Sequence, residues 1–149
     1  MISDIDTLFA WSNDPETRAA SISPDPISYE EHKRWFTAVI NSVETNAYIF
    51  TVENIASGIV RFQQKNSITY LSYSLSPEVR GLGLSSIMLN LALSEFRLQA
   101  QDKSIYGVID SENKRSQRAF EKVGFNCIEN YLEGDRLFKK YLLSPNQTK

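Results

Sequence analysis

Between an alternating run, Ile68-Thr-Tyr-Leu-Ser-Tyr-Ser-Leu75, and a run of helical spacing from Leu84 onward stands Arg80-Gly-Leu-Gly-Leu-Ser85, which holds two of the chain's six glycines. A helix starting at Gly83 leaves its first amides without intrahelical partners, and those amides together with the helix dipole favour an anion. Glycines at 81 and 83 let backbone approach a phosphate with no Cβ in the way, Arg80 adds a fixed positive charge, and Ser85 and Ser86 add hydroxyl donors. The same residues also suit an ordinary strand-to-helix turn, so their surroundings must decide. His32 is the only histidine. Its ordinary pKa of about 6.5 suits proton removal at neutral pH, although a single helical histidine equally serves packing. Tyr70, Ser72 and Ser74 recur at period two, so they share one strand face and could relay a proton through water. Cys127 has no histidine or positive cluster beside it in sequence and reads as a buried core thiol.

The elements that must position these groups follow from the periodicity. Ser3 with Asp6 forms a weak capping box ahead of a short amphipathic helix (Ile5, Leu8, Phe9, Trp11) that ends near Asn13-Asp14-Pro15. Residues 15–27 hold three prolines and read as loop. Ser28-Tyr-Glu-Glu31 is a stronger capping box for a helix over 29–42 that buries Trp35, Phe36, Val39 and Ile40. Residues 47–53, 57–64 and 68–75 then alternate as an antiparallel meander with turns at Asn54 and Lys65-Asn66-Ser67. A long helix runs from the glycines to about Ala100, followed by a strand over 104–109 and a helix over 114–123 stopped by Gly124. A hairpin over 125–143 turns at Glu133-Gly134-Asp135, and residues 145–149 fray. Helix, helix, three strands, helix, strand, helix and two strands make an α+β chain, expected to be one domain over 1–149.

Composition narrows the function classes. With 149 residues, 42% hydrophobic and 23% charged, the chain can bury a sizeable core. A formal net charge of -2 argues against a nucleic-acid surface, which shows as a basic excess. One cysteine excludes an internal disulfide and a thiolate zinc site, and no metal site is expected. No apolar run approaches the roughly 20 residues of a membrane span, and the opening residues lack a signal-peptide pattern. A cytoplasmic location without membrane or nucleic-acid partners is the expectation, with small molecules or other proteins as partners and a homodimer left open.

Two separated motifs carry a resemblance to a known family. Leu75-Ser-Pro-Glu-Val-Arg80-Gly-Leu-Gly-Leu-Ser85 resembles the pyrophosphate loop R/Q-x-x-G-x-G/A of the GNAT superfamily of acetyl-CoA-dependent N-acetyltransferases, with Ser85 in place of the last small residue. Asn113-Lys-Arg-Ser116-Gln-Arg-Ala-Phe120-Glu-Lys-Val-Gly124-Phe125 is similar to its second motif, N-x-x-A/S-x-x-x-Y/F-E-K-x-G-F. The resemblance implies a central, mostly antiparallel sheet with helices on both faces, splayed between the family's strands four and five. Acetyl-CoA would be the co-substrate, its pantetheine arm lying in the splay like a missing strand. Main-chain groups of Tyr73, Ser74 and Leu75 would hold that arm, and the Leu75 amide would polarise the thioester carbonyl. Amides across Arg80, Gly81, Leu82, Gly83, Leu84 and Ser85 would hold the pyrophosphate, and Asn113 would bond the arm. Only Met1-Ile2-Ser3 precede the first helix where the family carries a strand, so that strand is expected to be missing or truncated, leaving an open edge unless a partner covers it.

The implied chemistry needs a neutral amine, an oxyanion donor and a proton for the departing thiolate. Many family members supply that proton from a tyrosine where this chain has Phe120, which lines the coenzyme site here but cannot donate. Ser116, one turn earlier on the same helical face, ranks first as donor and Tyr131 second, with helix capping as the plain alternative for Ser116. His32 borders the acceptor cleft in the resembling fold and is the candidate base. Lys114, Arg115, Arg118 and Lys122 stand as contacts for the coenzyme's terminal phosphate or as a solvated helix face.

Trp11-Ser-Asn13-Asp14-Pro-Glu-Thr-Arg18 and His32-Lys-Arg-Trp35-Phe36 resemble a narrower branch, the nucleotide-sugar N-acetyltransferases of pseudaminic acid-type pathways. That resemblance implies direct transfer in a ternary complex to an amino sugar, free or nucleotide-linked, with Asn13, Arg18, His32, Trp35, Arg61 and Ser72 at the acceptor. Arg18 and Arg61 could meet a diphosphate, and Trp35 could stack on a base or sugar or simply pack in the core. A protein N-terminal acetyltransferase of the ribosomal-protein type, or a degenerate CoA-binding or interaction module without catalysis, are the alternatives.

Overall fold

The element order follows the change from helical to two-residue periodicity along the chain. The computed structural model describes residues 5–15, 25–42 and 44–145. Within them α1 (Ile5–Ser12) and α2 (Tyr29–Asn41) precede β1 (Thr45–Val52), β2 (Ile55–Lys65) and β3 (Ile68–Leu75). α3 (Ser85–Arg97), β4 (Ile105–Asp110), α4 (Lys114–Lys122), β5 (Asn126–Glu133) and β6 (Arg136–Leu143) follow. Arg18, the Ser3 cap and residues 146–149 lie outside the described residues.

Both meander turns are two-residue loops with left-handed backbone at each position, Glu53 and Asn54 (φ 51° and 66°) and Asn66 and Ser67 (φ 52° and 66°). That geometry matches the strand twist and sets the register of β1 against β2 and of β2 against β3. At the start of α2 the capping box is complete, with Ser28 Oγ accepting from the Glu31 amide and the Glu31 carboxylate accepting from the Ser28 amide. The Phe-Glu-Lys-Val-Gly-Phe stretch closes α4 as a Schellman motif. Phe125 N–H bonds Phe120 C=O at 3.0 Å, Gly124 N–H bonds Glu121 C=O at 3.1 Å, and Gly124 takes φ 110°. The rings of Phe120 and Phe125, 4.6 Å apart, supply the apolar contact that accompanies such an end.

The sheet runs β1-β2-β3-β4-β6-β5, and only β3 and β4 pair in parallel. One face carries the main core, in which Val60, Phe62, Leu71 and Leu75 meet Met88, Leu89, Leu93 and Phe96 of α3 and Phe120 of α4. The other face carries a smaller cluster of Leu8, Trp11, Phe36 and Ile59 under α1 and α2. This is the α+β class expected. Among the described residues no strand precedes α1, and β1 pairs only with β2, so its outer edge is open.

Two expectations need correction, and one candidate residue proves to be buried. α3 begins at Ser85 rather than Gly83 and ends at Arg97 rather than near residue 100, because the buried Arg97 guanidinium bonds the carbonyls of Ala100 and Lys103 and holds that stretch as turn. Cys127 is exposed, not buried, since β5 is an edge strand with solvent on both faces. His32 is only 2% exposed and lies in the packing between α1 and α2, its ring 5.5 Å from Phe9 and 5.3 Å from Trp35. The base placed on it from sequence sits among aromatic rings because the turn of α2 that carries it faces α1.

Candidate active site

The site is a gap in the sheet. β3 and β4 pair at only two positions, Thr69 with Ile105 and Tyr70 with Tyr106, whereas β2 accompanies β3 to Leu75 and β6 accompanies β4 to Asp110. The Ser76 amide bonds Ser57 C=O at 2.8 Å. By the alternation of an antiparallel ladder, the N–H and C=O groups of Leu71, Tyr73 and Leu75 therefore point away from β2 and into the gap. The Ser111 amide bonds Leu137 C=O at 2.9 Å, which by the same alternation turns Val108 and Asp110 toward the gap from the other side. Two rows of main-chain donors and acceptors thus face each other, the edges that an extended amide-bearing chain would pair with. Ser74 lies outside this set, because its main chain faces β2.

The glycine loop closes one end of the gap. Gly81 and Gly83 take φ 80° and 73°, a region that L side chains rarely adopt, and a Cβ at either would meet nothing within 4 Å. The backbone therefore presents an open concave face. Leu84 is the N-cap of α3 and offers no side-chain cap, while Ser85 is its first residue and Leu82 stands exposed at the loop tip. Arg80 has turned from the loop to Asp14, at 2.5 Å, tying the loop to the end of α1.

α4 forms the floor. Asn113 caps it, its Oδ1 accepting from the Ser116 amide at 3.2 Å. Ser116 Oγ lies 2.6 Å from Tyr73 Oη, a hydroxyl pair that joins β3 to α4 across the gap. Burial raises the Tyr73 pKa, only partly offset by the hydroxyls of Ser116 and Ser85 and by the charge of Arg115, so the phenol stays protonated at neutral pH. The Tyr73 ring stacks on Phe120 with centroids 6.0 Å apart. Phe120 is 2% exposed and fills the space beneath Gly107, where a Cβ would come within 2.0 Å of its ring. Lys114, Arg115, Arg118 and Lys122 are exposed along α4.

On the α2 side of the sheet, register puts Arg61 opposite Ser72 and Ile59 opposite Ser74, so Tyr70, Ser72 and Ser74 do share one face. Arg61 carries its guanidinium carbon 4.9 Å from the centre of the Trp35 ring. Among the described residues it has no carboxylate or hydrogen-bond partner. Burial pulls its pKa below the ordinary guanidinium range. Tyr131 pairs in register with Phe138, their rings 5.9 Å apart, and burial with Glu133, Tyr70 and Glu129 nearby raises its phenol pKa. Asn13 is occupied elsewhere: its amide donates to Ile27 C=O and accepts from Ile27 N–H, both at 2.7 Å, clamping the two ends of the 14–26 segment. A separate cavity of ≈ 470 Å³ runs along the open edge of β1, lined by Leu8, Trp35, Val39 and Ile49. It is distinct from the gap.

A sequence profile described as the acetyltransferase (GNAT) domain matches residues 1–126. The chain belongs to the GNAT acetyltransferase family. It is an acyltransferase, and acetyl-CoA is its co-substrate. No curated protein matches it significantly. Among solved structures, the GNAT fold of this chain is similar to that of Vibrio cholerae spermidine N-acetyltransferase in complex with CoA and spermine, with TM-score 0.87 and 16% identity over 99% of this chain and 94% of that one. It is also similar to AAC(6')-Ib in complex with ribostamycin and coenzyme A, with TM-score 0.82 and 13% identity over 97% and 90% of the two chains. A third, the GNAT-family acetyltransferase from Bacillus anthracis, gives TM-score 0.81 and 16% identity over 98% and 92%. At such identities the likeness is one of fold.

Seen as a GNAT site, the gap brings together the main chain of Tyr73 and Leu75, the loop from Arg80 to Ser85, Asn113, Ser116 and Phe120, all named from sequence. It does not bring His32 or Asn13 to that place. The Tyr73 side chain was missed. Its signal was available, because Leu71, Tyr73 and Leu75 alternate onto the core face, where a phenol needs a partner.

Among the described residues no helix is long and apolar enough to cross a membrane, and no group of three His, Cys, Asp or Glu side chains is placed to hold a metal.

Proposed function

We propose that this GNAT domain moves the acetyl group of acetyl-CoA directly to the primary amine of a small acceptor that also carries an anionic group, an amino sugar linked to a nucleotide. The observation that carries this reading is Arg61, a partly buried cation stacked on Trp35 and lacking a counter-charge among the described residues. An unneutralised guanidinium repels a polyamine and favours a phosphate, to which it can offer two parallel hydrogen bonds. Trp35 beneath it holds the guanidinium in place by a cation–π contact. The W-x-N-D and H-x-x-W-F stretches resemble those of nucleotide-sugar enzymes, which points the same way.

In this mechanism the pantetheine arm pairs with the gap-facing edges of β3 and β4, and the glycine loop receives the pyrophosphate through its amides. The Leu75 amide polarises the thioester carbonyl and stabilises the oxyanion as the amine adds. The adduct loses an amine proton to water ordered along Tyr70, Ser72 and Ser74. His32, packed between helices, is left out of the path. Collapse of the adduct expels the thiolate, which Ser116 protonates.

A panel of nucleotide-linked amino sugars, free amino sugars, polyamines and peptides, assayed by CoA release and product mass, tests the reading. Turnover is expected on the nucleotide-linked sugars. Arg61→Gln should raise the acceptor KM by about 10- to 150-fold at similar kcat, the equivalent of a charge-assisted bond of about 1.5–3 kcal/mol. Turnover on polyamines or peptides alone would refute it.

A further inference from the structure

The Tyr73–Ser116 contact joins β3 to α4 through two hydroxyls. Tyr73 already stacks on Phe120, and Ser116 already has its backbone amide capped by Asn113. What the contact does is hold two hydroxyls at 2.6 Å on the floor of the slot, between the strand edge that would bind the thioester and the first turn of α4. A phenol is a much stronger acid than an aliphatic alcohol. Either hydroxyl of the pair can donate; the arrangement in which the more acidic Tyr73 O–H donates to Ser116 Oγ leaves the Ser116 proton to point away from Tyr73.

We propose that Tyr73 and Ser116 form a two-hydroxyl donor to the coenzyme sulfur, in which Ser116 is the catalytic residue that touches the thiolate and Tyr73 is a positioning residue that orients and polarises it. The inference rests on acetyl-CoA lying in the gap and is independent of the acceptor's identity. When the tetrahedral adduct collapses, the C–O⁻ bond becomes C=O, the C–S bond breaks and its electron pair goes to sulfur. Sulfur takes the Ser116 hydroxyl proton, Ser116 Oγ takes the Tyr73 proton, and the phenolate regains a proton from solvent once CoA leaves. No further reactant is needed. The charged neighbour of this pair is Arg115 on α4, whose positive charge stabilises the transient phenolate, and the Ser85 hydroxyl does the same from α3.

CoA itself is the probe. The absorbance of the thiolate, followed in the ultraviolet against pH for enzyme-bound CoA, reads whether a donor faces the sulfur, because a hydrogen bond to the charged form lowers its pKa. Wild-type protein should hold about tenfold more thiolate at a given pH than Ser116→Ala, the equivalent of one pKa unit. Tyr73→Phe should lose part of that effect, the double variant should lose no more than Ser116→Ala, and Ser116→Thr should keep it. Below the pKa of bound CoA, where the sulfur is a neutral thiol, both single variants should still bind CoA with affinity close to wild type, because the ring stack and the helix cap remain. Identical titrations in all variants would overturn the proposal, and a larger loss in Tyr73→Phe than in Ser116→Ala would overturn the assigned order. Failure of the wild-type chain to bind CoA would overturn the placement of the coenzyme on which the proposal rests. A negative acceptor panel would leave this titration unaffected.

Discussion

Gly83 and Gly134 make a matched pair for testing the loop. Both have left-handed backbone, φ 73° and 64°, and at both a Cβ would meet nothing within 4 Å. Replacing either by alanine therefore costs the same local strain, about 1–2 kcal/mol, reduced by about 0.4–1 kcal/mol because alanine also restricts the unfolded chain. A net loss near 1 kcal/mol lowers the melting temperature of a chain this size by about 2–4 °C. The two sites differ in what the open space is for. At Gly134, the tip of the β5–β6 hairpin, it is solvent. At Gly83 it is the concave face where, on the proposed assignment, the amides of the loop would meet pyrophosphate, and a methyl group there would separate at least one amide from its oxygen. A hydrogen bond to a charged acceptor contributes about 1.5–3 kcal/mol, so Gly83→Ala should weaken CoA binding by about 10- to 150-fold. Gly134→Ala should leave it unchanged. Calorimetric titration with CoA, beside thermal unfolding of both variants, gives the comparison. Equal CoA affinity in the two variants at equal stability loss would refute the assignment of the loop.

Three further outcomes follow from the geometry. Gly107→Ala sets a Cβ 2.0 Å from the buried Phe120 ring and should cost about 1–3 kcal/mol by overpacking, partly recovered by Phe120→Leu; an unchanged melting temperature would contradict the packing described. Asn13→Ala removes both bonds to the Ile27 backbone and should speed hydrogen exchange at the Ile27 amide several-fold, measured by NMR. Burial pushes the Asp110 pKa up, but Arg136 and the Glu112 amide more than offset it and hold it below the ordinary value. Its contribution to stability is then present above the unfolded pKa of about 3.9 and fades as pH falls through and below it, so Asp110→Asn should flatten the acid limb of a stability-versus-pH curve measured by urea unfolding.

Local rules were legible in the sequence where they act over a few residues. The capping box at Ser28, the two-residue turns at Asn54 and Asn66, and the close of α4 at Gly124 each follow from backbone requirements that specific residue types meet. The glycine loop was legible for the same reason. Groups whose role depends on what the sheet brings beside them were not. Tyr73 and Ser116 are 43 positions apart and meet because β3 and α4 face each other across the gap. Asn13, placed at the acceptor by the residues around it, has an amide that clamps backbone at Ile27, 14 positions away. His32 stands between Glu31 and Lys33, which suggests a wet surface, yet α2 turns it toward Phe9 and Trp35. Arg61 owes its unusual state to the partner that is absent from the described residues, which a sequence cannot express.

The position of bound coenzyme decides most directly whether the gap between β3 and β4 is the active site. Backbone amide shifts of ¹⁵N-labelled protein, followed during titration with acetyl-CoA, report that position residue by residue. The expected result is that the largest changes fall at Leu71, Tyr73 and Leu75, at Gly81 to Ser86, and at Asn113 to Ser116, with β1 and the cavity along its edge nearly unaffected. Changes centred on Ala47, Ile49 and Val39 instead, with the gap between β3 and β4 silent, would contradict it.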